Sequence, residues 1–154
     1  MRIDIRPAIY SDTEKLTAIK LRARGESTNP NSSLYSRELE YITSFLDERR
    51  DIFIMMCDRN IIAYCATQIC PIRQFDDCIE IKDLYVLPEY QNKGYGKKLL
   101  SHALRKMRVK GYMHAFLNTA EGNVKARCFY EKFGFKPYKK SDTGIVYVTY
   151  VIDF

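Results

Sequence analysis

A short glycine-containing segment carries the clearest chemistry in this sequence. Residues 91–97 read Gln-Asn-Lys-Gly-Tyr-Gly-Lys, between an apolar strand-like run at 79–86 and a helix-like run at 97–104. A helix N-terminus leaves backbone N–H groups without partners and carries the positive end of the helix dipole. Glycine lets the backbone approach a phosphate group closely. We therefore expect this segment to bind a phosphorylated ligand.

Two familiar phosphate-binding patterns do not fit the segment. A P-loop requires G-x-x-x-x-G-K-[ST], but Gly94 and Gly96 are two positions apart and Lys97 is followed by Lys98. The dinucleotide fingerprint G-x-G-x-x-G requires a third glycine where this chain has Leu99. These two patterns therefore do not identify the phosphorylated ligand, and the sequence downstream of residue 97 is needed to infer it.

A second motif, at residues 123–135, reads N-x-x-A-x-x-F-Y-E-K-x-G-F. Together with Q-x-x-G-x-G at 91–96, and in this order after a strand ending Leu-Tyr-Val, it resembles the GNAT superfamily of N-acetyltransferases. The close match covers roughly residues 79–136. The resemblance implies a transferase that moves an acetyl group from acetyl-CoA, without a metal, directly to a primary amine of a small molecule or peptide in a ternary complex.

The expected fold is a single α/β domain over residues 1–154. Hydrophobic periodicity predicts the order β-α-α-β-β-β-α-β-α-β-β, a GNAT-like mixed, mostly antiparallel sheet flanked by helices, with a central parallel βαβ unit. Ser11 to Glu14 reads as a capping box that starts the first helix. The predicted strands are 2–6, 51–57, 61–69, 79–86, 113–118, 135–139 and 144–152, and the later helices are 37–49, 96–109 and 123–133.

The resemblance implies coenzyme-binding roles for two stretches of backbone and one side chain. The strand end would pair with the pantetheine arm at Leu84, Tyr85 and Val86. The pyrophosphate would lie on backbone N–H groups of Gln91, Asn92, Lys93, Gly94, Tyr95, Gly96 and Lys97. Asn123 would hydrogen-bond the coenzyme arm, and a simple N-cap role for it is the alternative.

Tyr130 is the candidate catalytic acid. Asn123, Ala126 and Tyr130 are spaced to share one face of a helix. A phenol has a pKa near ~10, close enough to that of a thiol to share its proton. In the resembled family the tyrosine of this motif commonly faces the coenzyme sulfur, which implies that Tyr130 protonates the leaving thiolate. A half-buried core tyrosine is the alternative.

Glu80 is the candidate catalytic base. It precedes Val86 by six residues, and this even spacing predicts that both lie on one strand face. The offset resembles that of the catalytic glutamate in the histone-acetylating branch of the family. An exposed residue paired with Lys82, or deprotonation through ordered waters, are the alternatives. Asp83 is expected on the opposite strand face, as a fallback group for a cationic amine.

Charged residues are distributed unevenly along the chain. The net charge is +6, and the segment between Tyr90 and Ala120 holds seven Lys or Arg and no Asp or Glu. Such a field beside the glycine segment suits the phosphates of coenzyme A. The acceptor side is expected to be acidic and to favour a cationic amine, through Glu26, Asp76, Asp77, Glu80 and Asp83. The loops at 25–36 and 71–77 are expected to border that side.

Several function classes are not expected. Nucleic-acid binding is not expected, because the chain has no basic tail and no aromatic residues interleaved with the basic cluster. No apolar run approaches the ~20 residues of a membrane span, and the N-terminus has no apolar signal region, so a cytoplasmic location is expected. A homodimer is compatible with the sequence. The alternative function is a non-catalytic acyl-CoA-binding sensor module.

The remaining reactive side chains are predicted to be structural. His102 and His114 have no evident partner in the sequence. The five cysteines, at positions 57, 65, 70, 78 and 128, show no C-x-x-C pair and no zinc-ligand spacing. We expect reduced thiols, mostly in the core, and packing rather than nucleophilic chemistry for Cys128.

Overall fold

The computed structural model describes residues 1–69 and 77–153, except for the side chains of Tyr150 and Ile152. The described elements follow the predicted order. They are β1 (Ile3–Pro7), α1 (Thr13–Ala23), α2 (Ser33–Asp47), β2 (Ile52–Cys57), β3 (Asn60–Ile69), β4 (Cys78–Val86), α3 (Tyr95–Val109), β5 (His114–Thr119), α4 (Val124–Phe133), β6 (Lys136–Ser141) and β7 (Gly144–Tyr150).

The seven strands form one mixed sheet in the order β1-β2-β3-β4-β5-β7-β6. Strands β1, β2 and β3 pair antiparallel, as do β5, β7 and β6. Strands β4 and β5 pair parallel across the α3 connection. The predicted mostly antiparallel sheet with a parallel βαβ unit is therefore confirmed.

The internal contacts divide the chain into two compact units, residues 1–67 with 83–100 and residues 68–82 with 101–154. In the first unit, the apolar faces of α1 and α2 pack on buried residues of β2 and β3. The helical spacing of Leu39, Ile42 and Phe45 produces the apolar face of α2. In the second unit, a smaller cluster joins β4, β5 and β7 through Cys78, Phe116 and Val146.

The start of α1 differs from the prediction. Residues Tyr10–Asp12 form a 3-10 turn, and the α-helix begins only at Thr13. The Asp12 carboxylate, rather than the Ser11 side chain, caps this turn: it accepts the backbone N–H of Ile9 at 2.8 Å. Asp12 also pairs with Arg6 at 2.8 Å, a contact that draws it inward and leaves Ser11 on the surface. The predicted Ser11 capping box is therefore wrong.

Helix α2 begins at Ser33, four residues before its predicted start at 37. Ser32 takes the N-cap position, and its hydroxyl accepts the N–H of Tyr35 at 3.1 Å. The polar run before residue 37 predicts a loop through residue 36, and the structure instead places the first turn of α2 inside that run. Strand β7 ends at Tyr150, because Val151–Asp153 turns into a 3-10 segment instead of extending the strand to 152.

Candidate active site

The parallel ladder between β4 and β5 is short. Register pairs run from Cys78 and His114 to Glu80 and Phe116. Strand β4 nevertheless continues to Val86, and the described register gives this continuation no partner on β5. A strand edge without a partner can hydrogen-bond an extended ligand through its backbone. The stretch predicted to hold the pantetheine arm, Leu84, Tyr85 and Val86, has the backbone form that such pairing needs.

The glycine segment leads directly into α3. Asn92 has a φ of 61° and Gly94 a φ of 84°, so the chain passes twice through the left-handed region before the helix begins at Tyr95. The first bond of the helix runs from Lys98 N to Gly94 O at 3.1 Å. The N–H groups of Tyr95, Gly96 and Lys97 precede that bond, so they belong to the unpaired first turn of a helix.

Gly94 also has room for a ligand beside it. A Cβ built on this residue would meet no heavy atom within 4 Å. The backbone here is therefore reached from open space, as a phosphate cradle requires. The segment therefore has the backbone geometry and the access that a phosphate group requires, and binding of the coenzyme A pyrophosphate stays a prediction.

Gln91 ties the segment to the end of β4. Its side-chain amide donates to the carbonyl of Val86 at 2.9 Å, and its backbone N–H donates to Pro88 O at 3.2 Å. These two bonds hold the turn against the strand whose end it follows. Whether Gln91 also contacts a coenzyme stays a prediction.

Lysines surround the start of α3. Lys93, Lys97 and Lys98 are exposed, and the Lys93 ammonium lies 5.9 Å from the ring centre of Tyr90. The two residues after them, Leu99 and Leu100, are fully buried. The buried Leu99 and Leu100 side chains hold the start of α3 against the core. The exposed lysines add positive potential to that of the helix N-terminus.

Tyr130 lies on α4 among other aromatic rings. It is half-buried, with its ring centre 5.2 Å from that of Phe129 and 5.6 Å from that of Phe135. Asn123 forms the N-cap of the helix, because its side-chain oxygen accepts Ala126 N–H at 3.2 Å. The N-cap alternative for Asn123 is thus observed. A coenzyme contact by Asn123 and acid catalysis by Tyr130 stay predictions.

Glu80 is held by two polar neighbours. Gln68 Nε2 donates to its carboxylate at 3.0 Å, and Lys82 Nζ lies 3.7 Å from the other oxygen. The side chain is only 17% exposed, so Glu80 pairs with Lys82 as in the alternative but is not an exposed residue. A role as base stays a prediction.

A model of the acetyltransferase (GNAT) family matches residues 16–135 of this chain. The match spans both motifs and most of the described elements. The chain belongs to the GNAT family.

Individual relatives agree with this membership. The GNAT chain is 33% identical over 101 residues to an uncharacterized N-acetyltransferase of Mycobacterium bovis, covering 66% of this chain and 60% of that protein. The chain thus spans less than two thirds of the length of that curated relative.

Solved structures share the fold. The PaiA N-acetyltransferase from Thermoplasma acidophilum, in complex with coenzyme A, superposes with a TM-score of 0.80 at 24% identity, covering 97% of this chain and 99% of that one. A Salmonella typhimurium protein with its cofactor acetyl-CoA gives a TM-score of 0.75 at 18% identity, covering 98% and 95%. At these identities the likeness shows the fold alone.

The GNAT chain buries a charged cluster that the sequence did not predict. The Lys20 ammonium contacts Glu38 Oε2 at 2.7 Å and lies 3.6 Å from Asp83 Oδ2. The Tyr64 hydroxyl donates to Asp83 at 3.0 Å. Burial and the nearby Asp83 carboxylate raise the pKa of Tyr85 to about 12. The fallback role of Asp83 is therefore wrong, because its carboxylate is buried and engaged.

The other acids predicted to line the acceptor side are also engaged where the structure describes them. Glu26 pairs with Arg24 at 2.7 Å, and Asp77 lies 2.7 Å from His114 Nδ1. Asp76 and most of the 71–77 loop lie outside the described residues. Each of these described acids thus already has a partner within the chain, and the acidic acceptor side stays a prediction.

The histidine and cysteine predictions need correction at two positions. His114 does have a partner, the Asp77 carboxylate, which the linear sequence placed in a distant loop. Cys128 is exposed, so it is not a packing residue. Cys57, Cys65 and Cys78 are buried free thiols, as predicted, and Cys70 lies outside the described residues.

Among the described helices, none has the length and apolar character to cross a membrane. Within the same residues, no group of three or more His, Cys, Asp or Glu could hold a metal ion.

Proposed function

We propose that the chain is an acetyl-CoA-dependent N-acetyltransferase that acts on a primary amine of a small molecule or peptide in a ternary complex. The observation that carries the proposal is the open glycine turn at Gly94, between the end of β4 and the unpaired first turn of α3, all within one compact unit. Coenzyme A or acetyl-CoA is bound in two proteins that share the fold.

Coenzyme binding is proposed to rest mainly on backbone groups. The N–H groups of residues 94–97 would bond the pyrophosphate, and Lys93, Lys97 and Lys98 would add charge. The backbone of Leu84 to Val86 would pair with the pantetheine arm, and Asn123 would contact the same arm. Because these ligands are mostly backbone atoms, they tolerate side-chain variation outside the glycines.

The bound coenzyme would supply an acetyl group activated as a thioester. The N–C bond forms as the C–S bond breaks, and the incoming amine must lose a proton while the thiolate gains one. Glu80, directly or through water, is proposed to take the amine proton. Tyr130 is proposed to give its phenolic proton to the departing thiolate. Gln68 and Lys82 hold the Glu80 carboxylate in place for its step.

Coenzyme binding can be tested with a matched pair of glycine variants. Gly94→Ala and Gly25→Ala both place alanine at positive φ, 84° and 70°, with no atom within 4 Å of the new Cβ. Each should cost about 1–2 kcal/mol of stability. Coenzyme A should raise the melting temperature of the wild-type and Gly25→Ala proteins, but much less that of Gly94→Ala. An equal rise in both variants would contradict the proposed phosphate cradle.

Turnover can be tested by thiol release against a panel of amines. Tyr130→Phe should lower kcat about 10²-fold, with the coenzyme-induced rise in melting temperature unchanged. Glu80→Gln should lower kcat and shift its pH dependence. Tyr112→Phe, in the turn after α3, is the control for removal of a phenol. Coenzyme binding without release on any amine would instead favour the non-catalytic acyl-CoA-binding module.

The assembly and location of the protein are proposed in the same way. We infer one catalytic domain in a cytoplasmic protein that is able to form a homodimer. Light scattering of the purified protein and fractionation of cells that produce it test these two points.

A further inference from the structure

Helix α4 lies on the second unit without a fully buried side chain. Its apolar residues, including Phe129, Tyr130 and Phe133, are only half-buried. Contacts between half-exposed apolar side chains are non-directional, whereas hydrogen bonds to fixed atoms restrict both distance and angle. The orientation of α4 therefore depends strongly on its directional contacts.

Arg127 supplies two such contacts. Its Nε donates to the Tyr147 hydroxyl at 3.1 Å, and its Nη1 donates to the carbonyl of Glu121 at 2.9 Å. The first bond joins α4 to β7, and the second joins the helix to the turn that precedes it. A planar guanidinium with donors in a fixed fork can fix both distance and rotation.

The anchor on β7 is rigid. Tyr147 is fully buried, and its register partners are Leu117 on β5 and Pro137 on β6, so it lies in the middle of three antiparallel strands. Arg127 is three positions before Tyr130, and residues at this spacing are neighbours on a helix surface. A rotation of the helix at Arg127 is thus transmitted directly to Tyr130.

We propose that Arg127 is a positioning residue for the acid Tyr130, acting through its bond to the Tyr147 hydroxyl. The inference rests on the proposed function, because it concerns the proton donor of that reaction. It assigns the Arg127–Tyr147 pair a role beyond holding the fold. A pair that only stabilised the fold would affect melting without any special dependence on Tyr130.

A double-mutant cycle tests this assignment. Tyr147→Phe keeps the buried ring and removes only the hydroxyl that Arg127 bonds. It should lower kcat about tenfold with an unchanged KM for acetyl-CoA, because a small displacement of a reacting group is costly. In the Tyr130→Phe background the same change should lower kcat less than twofold, since the positioned hydroxyl is already absent. Arg127→Lys, which keeps the charge and loses the fork, should behave like Tyr147→Phe.

The outcomes separate this inference from the proposed function. Equal losses from Tyr147→Phe in both backgrounds would overturn the positioning role and leave the enzyme intact. No effect of Tyr130→Phe alone would overturn both the acid and the positioning role. Tyr112→Phe is the control and should change neither kcat nor the cycle.

A second readout does not depend on turnover. With ¹³C-labelled tyrosine rings, the Tyr130 signal should shift and broaden in Tyr147→Phe but not in Tyr112→Phe, because only the first variant releases the helix. An unchanged Tyr130 signal in a folded Tyr147→Phe protein would overturn the inference even if no amine were turned over.

Discussion

Replacing Lys20 by methionine should strongly destabilise the protein. The Lys20 ammonium is the common partner of two enclosed carboxylates, at 2.7 Å from Glu38 and 3.6 Å from Asp83. The side chains of Lys20, Glu38 and Asp83 are 9%, 14% and 4% exposed. Glu38 Oε2 has no aligned hydrogen-bond donor among the described residues, so this ion pair is its main compensation. Methionine keeps most of the apolar side-chain length and the helix propensity of lysine, and it removes the ammonium group.

The magnitude follows from what the substitution leaves behind. Removing one partner of a buried ion pair strands a charge and costs about 3–5 kcal/mol. For a domain of this size, each kcal/mol corresponds to a fall of about 2–4 °C in melting temperature. Lys20→Met should therefore melt roughly 6–20 °C below the wild-type protein. Adding Glu38→Gln to Lys20→Met should recover part of the loss, because it removes one of the stranded charges.

The matched control lies on the same helix. Arg22 pairs with Glu89 at 2.9 Å, but the two side chains are 46% and 47% exposed. Surface pairs contribute about 0–1 kcal/mol, so Arg22→Met should lower the melting temperature by only a few degrees. The assay is thermal unfolding followed by circular dichroism. Similar melting temperatures for Lys20→Met and Arg22→Met would refute the view that the buried cluster depends on the Lys20 charge.

Three further changes have expected outcomes. Gly144→Ala should cost several kcal/mol in a melting experiment, far more than Gly25→Ala, because its Cβ would lie 2.1 Å from Thr119 O at a φ of 153°. In the folded protein, burial first and then the nearby Lys106 and Arg105 lower the pKa of His102 below its ordinary value of 6.5. As the pH falls through 6.5, the unfolded chain therefore binds more protons at His102 than the folded protein does, and the folded state loses stability. Between pH 7 and pH 5 the wild-type protein should therefore lose stability relative to His102→Gln, and equal pH profiles would contradict this. Cys128 is exposed and Cys65 is fully buried, so peptide mapping should find Cys128 alkylated in the folded protein and Cys65 only after unfolding.

Hydrophobic periodicity predicted the element order because it is a local signal. The apolar spacing of α2 and the continuous apolar runs of β2 and β3 were sufficient to place these elements. Most boundaries agree with the structure within two residues. The start of α2 is the exception, because Ser32 caps the helix inside the polar run. At α1 the cap itself differs: Asp12 replaced Ser11 once Arg6 drew its carboxylate inward. Arg6 and Asp12 meet only after the chain has turned, so the sequence could not rank the two candidate caps.

The glycine segment was predictable because its signal, like hydrophobic periodicity, is local. The positive φ of Gly94 and the helix start at Tyr95 are properties of a few consecutive residues, and a motif records such properties well. The N-cap role of Asn123 is equally local, because it depends on the residue type at the first turn of α4. The roles proposed for the glycine segment rest mainly on backbone geometry.

The partners of Asp83 and Asp77 were not predictable, because they lie far away in the chain. Asp83 meets Lys20 and Tyr64, and Asp77 meets His114. Charge counts treat every carboxylate as available, whereas a folded chain first satisfies its own buried charges. The acidic acceptor side therefore stays a prediction, with Asp83 and Asp77 already partnered within the chain.

The same distinction explains why Arg127 was missed although it lies inside the motif that identified the family. The motif specifies Asn123, Ala126 and Tyr130 by their spacing along one helix, and Arg127 fills a variable position between them. Its role depends on Tyr147, which is 20 residues further along the chain and becomes its neighbour only when β7 is in place. The motif therefore nominates Tyr130 as the acid, whereas the proposed positioning role of Arg127 emerges only from the sheet on which the helix lies. If the double-mutant cycle shows coupling, catalytic efficiency in this chain is set partly on β7, outside both sequence motifs.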